Sequence, residues 1–165
     1  MLAEDHMGNR LVSFIDVDEE TAAGLYQPVT VCLVVVKIEN DFLFGFNHWR
    51  KCWEIFGGCP EAGETMRQTI ERESKEELGI ENMAFEWLGL ARFYLMPDYF
   101  SSEEREEFGG IFGITLSKED FQKIEQSRTD KEEIERISLL QNIPKTDTVR
   151  TLDKKLTEYY PRAVN

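Results

Sequence analysis

The spacing of apolar residues along this chain changes period several times, and each change marks an element. Val29 to Ile38 (VTVCLVVVKI) is nearly continuous apolar and β-branched sequence, the pattern of a central strand buried on both faces. Glu39-Asn40-Asp41 turns the chain, and Asp41 to Phe46 (DFLFGF) is predicted to pair back as a hairpin strand. Shorter strands are expected over Arg10 to Val17, ahead of the polar DEETAAG segment, and over Trp53 to Phe56 (WEIF). Met83 to Leu95 alternates imperfectly and reads as one long strand bent at Gly89. Gly110 to Leu116 reads as another central strand, and Glu133 to Leu139 alternates as a half-buried strand should. Between them, the acidic run Met96 to Gly110 is expected to be a long connection, of a length more typical of functional loops than of tight turns.

Three stretches carry the helical period instead. Met66 to Leu78 is bracketed by Thr65 and Gln68, a capping-box pair, and by Gly79, the left-handed residue that commonly ends a helix. Glu119 to Gln126 predicts a short helix with Phe121 and Ile124 inward, and Thr146 to Tyr160 one that places Val149, Leu152, Leu156 and Tyr159 on a single face. Strands and helices in this order predict an α/β fold, a mixed sheet sandwiched between helices. A length of 165 residues with no shift of composition fits one domain over 1–165.

The 66–78 helix has acid in the wrong place. At 100° per residue, Met66, Ile70, Glu73 and Glu77 fall within roughly 60° of one another, so two glutamates share the inward stripe. Glu73, Glu76 and Glu77 stand at i, i+3 and i+4, and their carboxylates converge. Two like charges about 4 Å apart at an effective dielectric near 20 repel by about 4 kcal/mol, more than a surface ion pair returns. Such a cluster calls for a counter-charge, and a hard divalent cation, Mg²⁺ above all, suits oxygen ligands.

These residues resemble the Nudix box, G-x5-E-x7-R-E-U-x-E-E-x-G-U with U a bulky aliphatic residue. The matches are Gly58, Glu64, Arg72, Glu73, Glu76, Glu77, Gly79 and Ile80, with Ser74 departing at the first U. Ser74 is expected to loosen the helix packing slightly and to leave the acidic face intact. The resemblance implies a Nudix-type α/β/α sandwich and hydrolysis of a diphosphate linkage in a nucleoside diphosphate derivative, with Mg²⁺ or Mn²⁺. It further implies that Glu73 and Glu77 are the main metal ligands, that Glu76 shares the cluster, and that the Gly57 carbonyl supplies one more oxygen. Arg72 would orient a box carboxylate, and Glu64 would brace the loop or reach metal through water. The catalytic group it implies is therefore Glu73, Glu76 and Arg72, with a box glutamate as general base. Glu133, Glu135 and the 103–107 glutamates are the alternatives.

Composition narrows the partners. The chain is 41% hydrophobic and 12% aromatic, enough for a packed core, and its formal charge is −13. That charge argues against binding nucleic acid polymers or anionic membranes, which need clustered Lys and Arg. A small phosphorylated nucleotide is compatible with it, because bound metal inverts the local field. A second copy of the chain, forming a homodimer, is left open. One basic and aromatic cluster, Trp49, Arg50 and Lys51, stands near the box in sequence and is the candidate for stacking on a base or contacting phosphate; an ordinary exposed turn is the alternative.

Cys32, Cys52 and Cys59 are odd in number and lack C-x-x-C spacing, so a reduced, cytoplasmic setting is expected rather than a disulfide framework or a zinc cluster. Cys59, inside the box loop, is read as a small, partly buried side chain, with a reactive nucleophile as the alternative. His6 and His48 are too few and too far apart for H-E-x-x-H chemistry. The first residues lack an apolar signal core, and no run reaches membrane-span length. Pro97 falls near the place where ADP-ribose hydrolases of the family carry a proline, in a different register. Nucleoside triphosphates, ADP-ribose, nucleotide sugars and dinucleotides all remain open as substrates. Two rival classes are a non-catalytic Nudix-fold binding or regulatory module, which usually loses box carboxylates, and a Nudix-fold isopentenyl diphosphate isomerase, which needs a histidine-rich metal site.

Overall fold

The computed structural model describes residues 1–129 and 131–160. In chain order the elements are β1 (Ala3–Glu4), β2 (Arg10–Ile15), α1 (Glu19–Leu25), β3 (Val29–Ile38), β4 (Asp41–Asn47), β5 (Cys52–Glu54), β6 (Phe56–Gly58) and α2 (Met66–Leu78). They continue with β7 (Glu86–Leu95), β8 (Arg105–Leu116), α3 (Lys118–Ser127), β9 (Ile134–Leu139) and α4 (Thr151–Leu156). The strands form one mixed sheet in the order β1-β2-β7-β8-β3-β4-β5, with β6 also paired to β3 and β9 to β4. β3 runs parallel to β8 and antiparallel to β4 and β6, so the predicted mixed sheet is the one found.

The double burial read from β3 follows from its period of two. Cys32, Val34, Val36 and Ile38 point to one face, where Met66, Ile70 and Leu78 of α2, Ile124 of α3 and Ala22 of α1 cover them. Val31, Leu33 and Val35 point to the other, against Leu152 and Leu156 of α4. Three helices therefore lie on one side of the sheet and one on the other, the α/β/α sandwich expected.

Several boundaries differ from the sequence reading, each for a traceable reason. The polar DEETAAG segment forms α1, because Asp18 caps it through the Thr21 N–H at 2.8 Å and Arg67 of α2 grips Glu19 at 2.6 Å. The expected Trp53–Phe56 strand splits at Ile55, whose N–H donates to the buried Asp153 carboxylate at 2.9 Å instead of to a strand. β5 therefore pairs with β4 while β6 crosses to β3. The long bent strand starts only at Glu86, with its bulge between Trp87 and Gly89. The connection after it is shorter than expected: residues 105–110 belong to β8 and pair with β7, their charges matched across strands by Arg92–Glu106 at 2.5 Å and within β8 by Arg105–Glu107 at 3.0 Å.

The C-terminal helix is shorter too. Thr148 and Arg150 bond to both sides of Trp53's backbone at 2.9 Å, so Val149 lies in a bridge beside the edge strand and α4 begins at Thr151.

Candidate active site

The box loop and α2 are set by two glycines with different duties. Gly57 has φ +142°, and a Cβ there would lie 2.0 Å from the Cys32 carbonyl oxygen, so the close approach of β6 to β3 requires glycine. At Gly58 a Cβ would stand 2.3 Å from Glu73 Oε1: the missing side chain is the space that the Glu73 carboxylate occupies. α2 has the capping box predicted, with the Thr65 side chain accepting from Gln68 N and the Gln68 side chain accepting from Thr65 N, and it ends on left-handed Gly79.

Arg72 is the hub of the loop. Its guanidinium donates to Glu64 at 2.8 and 3.1 Å, to Glu73 at 2.9 Å, to Glu76 at 3.4 Å and to the Cys59 carbonyl at 3.1 Å. This contact, with the Thr69 hydroxyl and the Glu61 N–H, holds the Glu64 carboxyl down at about 2. Glu64 therefore braces the loop. Arg72 bonds to both Glu73 and Glu76.

Glu77 is buried and accepts from the Gly57 N–H at 2.9 Å. Burial outweighs that bond and pushes its carboxyl up to about 9, with the charges of Glu73, Glu133 and Glu54 adding to the shift. Burial also raises Glu73, against the pull of Arg72. Glu76 is more open to solvent. Together Glu73, Glu76 and Glu77 of α2 face Glu133 and Ile134 across a notch of about 30 Å³. The donor set is all carboxylate oxygen, and burial raises two of its members, Glu73 and Glu77, with neighbouring carboxylates adding to the shift; hard oxygen donors held this close together fit a divalent cation. Among the described residues no group of three or more His, Cys, Asp or Glu already stands as a ready-made metal site. Arg72 draws Glu73 and Glu76 to itself and Gly57 holds Glu77, so ligation requires these side chains to turn toward a common point.

The 48–51 turn is built on Asn47, whose Oδ1 accepts from Trp49 N at 3.0 Å and Arg50 N at 2.9 Å. It separates the three candidate binding residues. Arg50 grips the buried Glu54 through contacts of 2.8 to 3.1 Å and comes within 4.0 Å of Glu133, so its guanidinium is engaged by carboxylates. Trp49 and Lys51 are exposed.

Of the alternative bases, only Glu133 reaches the notch. Glu135 bonds to His48 Nδ1 at 3.2 Å and to Arg136. Glu104 accepts from the Tyr94 hydroxyl at 3.0 Å, Glu106 pairs with Arg92, and Glu107 accepts from Thr30 at 2.9 Å and Arg105 at 3.0 Å. Cys59 is exposed, and partial burial and surrounding carboxylates raise its thiol, which is the opposite of activation.

Two charged residues at the site escaped the sequence reading. Glu54, 3% exposed, lies within an apolar strand where a lone acid was itself a signal of a buried partner. Arg128, at the end of α3, carried no such signal. The Ser74 side chain is 1% exposed and its Oγ is without a hydrogen-bond partner, which locates the cost of the motif's one departure.

A family model described as the NUDIX domain matches residues 26–160. The chain belongs to the Nudix family and is a Nudix hydrolase. A search of curated protein sequences finds no match. Among solved structures, a pyrophosphohydrolase of Bacillus subtilis shares the fold at TM-score 0.66 and 17% identity, over 98% of both chains. The NUDIX domain of Shewanella oneidensis NrtR, solved with ADP ribose, matches at TM-score 0.57 and 12% identity, over 87% of this chain and 97% of that one. A MutT NUDIX hydrolase of Burkholderia pseudomallei matches at TM-score 0.55 and 15% identity, over 84% and 100%. At these identities the likenesses establish the fold. No helix among the described residues is long and apolar enough to cross a membrane.

Proposed function

We propose that the chain hydrolyses a phosphoanhydride bond in a nucleoside diphosphate derivative with Mg²⁺ or Mn²⁺ held by the Gly57 carbonyl, Glu73, Glu76 and Glu77. The observation that carries this reading is the notch in which three box carboxylates face Glu133. A cation bound there supplies acidification of water and neutralisation of phosphate charge. Arg72 keeps Glu73 and Glu76 on one side of the notch, and the Gly57 N–H fixes Glu77. Glu76, the most open of the three, is our candidate to take the proton from the attacking water. Glu133 is the second reading for that role, favoured by its place across the same notch. Trp49 and Lys51, exposed on the adjoining turn, are proposed to meet the base and phosphate of the substrate. Cys32 and Cys52 are buried and free of disulfides, and a reducing, cytoplasmic compartment is the setting proposed for such a chain.

The test is product release from a panel of nucleoside triphosphates, ADP-ribose, nucleotide sugars and dinucleotides, with and without chelator. We expect one class to be cleaved in a metal-dependent way. Full activity after exhaustive chelation, or binding of the panel without cleavage, would overturn the reading.

A further inference from the structure

The notch has two walls, α2 carrying Glu73, Glu76 and Glu77, and on the other side Glu133 with Ile134, the first residue of β9. Among the described residues no strand pairing joins these elements, since β9 pairs with β4 and α2 is a helix outside the sheet. Behind the notch, the buried Arg128 bridges them: its Nε donates to the Glu77 carbonyl at 3.0 Å and its Nη2 donates to the Ile134 carbonyl. The Glu77 carbonyl belongs to the last turn of α2, where carbonyls lack intrahelical donors and a cation is favoured by the helix dipole. One rigid guanidinium thus satisfies two backbone acceptors on opposite walls. A lysine, with a single point of charge, does not reproduce that fork.

We propose that Arg128 is a positioning residue that sets the spacing between Glu77 and Glu133, and so the grip of the notch on a divalent cation. The inference rests on the metal-binding reading of the notch given above. It assigns Arg128 no contact with substrate. Its influence passes through the main chain of the two residues flanking the site, as partners outside the ligand shell commonly govern metal affinity.

The test compares the whole chain carrying Arg128→Met, Arg128→Lys and, as a control for general loosening of α3, Ile124→Ala, which removes a core contact one turn away. Mn²⁺ affinity is read by calorimetry without substrate. Both Arg128 variants are expected to weaken it by about ten- to a hundredfold, while Ile124→Ala leaves it within about twofold despite a lowered Tm. Hydrogen exchange supplies a readout independent of metal: in metal-free Arg128→Met, the amides of Leu78 to Ile80 and of Ile134 should exchange faster than in Ile124→Ala. Unchanged Mn²⁺ affinity in Arg128→Met, full retention in Arg128→Lys, or an equal loss in Ile124→Ala would each overturn the proposal. If the unsubstituted chain takes up no Mn²⁺, the functional reading fails by itself, and the exchange at Leu78–Ile80 and Ile134 still decides whether Arg128 joins the walls.

Discussion

The Glu73 carboxylate lies in the space that a side chain at residue 58 would fill, with Oε1 2.3 Å from the position of a Cβ on Gly58. Gly57, next to it, is blocked instead by backbone, the Cys32 carbonyl at 2.0 Å. Neighbouring glycines thus predict different failures. Gly58→Ala should displace only a flexible carboxylate, leaving Tm nearly unchanged while kcat falls by about a hundredfold, the usual scale for loss of one transition-state contact. Gly57→Ala should impair folding itself, since the left-handed backbone and the β3 contact both oppose it. Melting curves alongside kinetics separate the two.

Substitution of the proposed metal ligands should act on kcat, whereas that of a loop carboxylate should not. Glu76→Gln and Glu77→Gln are each expected to cost about 3 kcal/mol in the transition state, a hundredfold or more in rate. Glu104→Gln removes only a bond to the exposed Tyr94 hydroxyl and should leave kcat within about twofold. Steady-state kinetics with the best substrate check this ranking, and a crippled Glu104→Gln would move the catalytic base to the β7–β8 connection.

Two box glutamates should contribute to stability with opposite pH dependence in chelator. Glu64 is held at about 2, below its usual 4.5, so its stabilisation is present above about pH 4.5 and is lost as pH falls through about 2. Glu77 is raised to about 9, so its contribution is full below about pH 4.5 and is lost as pH rises through about 9. Relative to the unsubstituted chain, Glu64→Gln should therefore be less stable at neutral pH and converge with it in acid. Glu77→Gln should be more stable at neutral and alkaline pH. Denaturant titrations across pH, all with EDTA, read both differences.

Ser74→Ala should stabilise the protein. The Ser74 hydroxyl is buried and unpartnered, and removing it relieves about 1 kcal/mol, or about 2–4 °C in Tm for a chain of this size. Thermal unfolding measures this directly, and unchanged kinetics are expected because the acidic side chains keep their places.

The 48–51 turn should divide into a structural and a binding part. Arg50→Ala strips the main partner from buried Glu54 and should lower stability by about 1–2 kcal/mol, a figure reduced by the exposure of Arg50 and the nearby Arg150. Trp49→Ala and Lys51→Ala should leave stability unchanged and raise KM. Comparing Tm with KM for the single variants distinguishes these roles, which a triple variant would merge.

What could be read from the chain alone was whatever its own neighbours in sequence decide. The limits of α2 follow from Thr65, Gln68 and Gly79 within a few residues of the helix they bound, and β3 from an unbroken apolar run, so both appear where the pattern put them. The placing of Glu73, Glu76 and Glu77 along one notch is likewise a local consequence of helical spacing, whereas Arg72 and the Gly57 N–H decide where their carboxylates turn. Tertiary structure decided what depends on partners far along the chain. Asp153 breaks the WEIF strand from 98 residues away, Trp53 takes Thr148 and Arg150 out of the last helix, and backbone pairing with β7 makes a strand of the acidic run. The same distance explains why Glu133 rather than Glu135 faces the box, and why Arg128 went unseen. Nothing near residue 128 in sequence announces that its guanidinium will reach the carbonyls of Glu77 and Ile134, because those acceptors come together only when α2 and β9 pack around it.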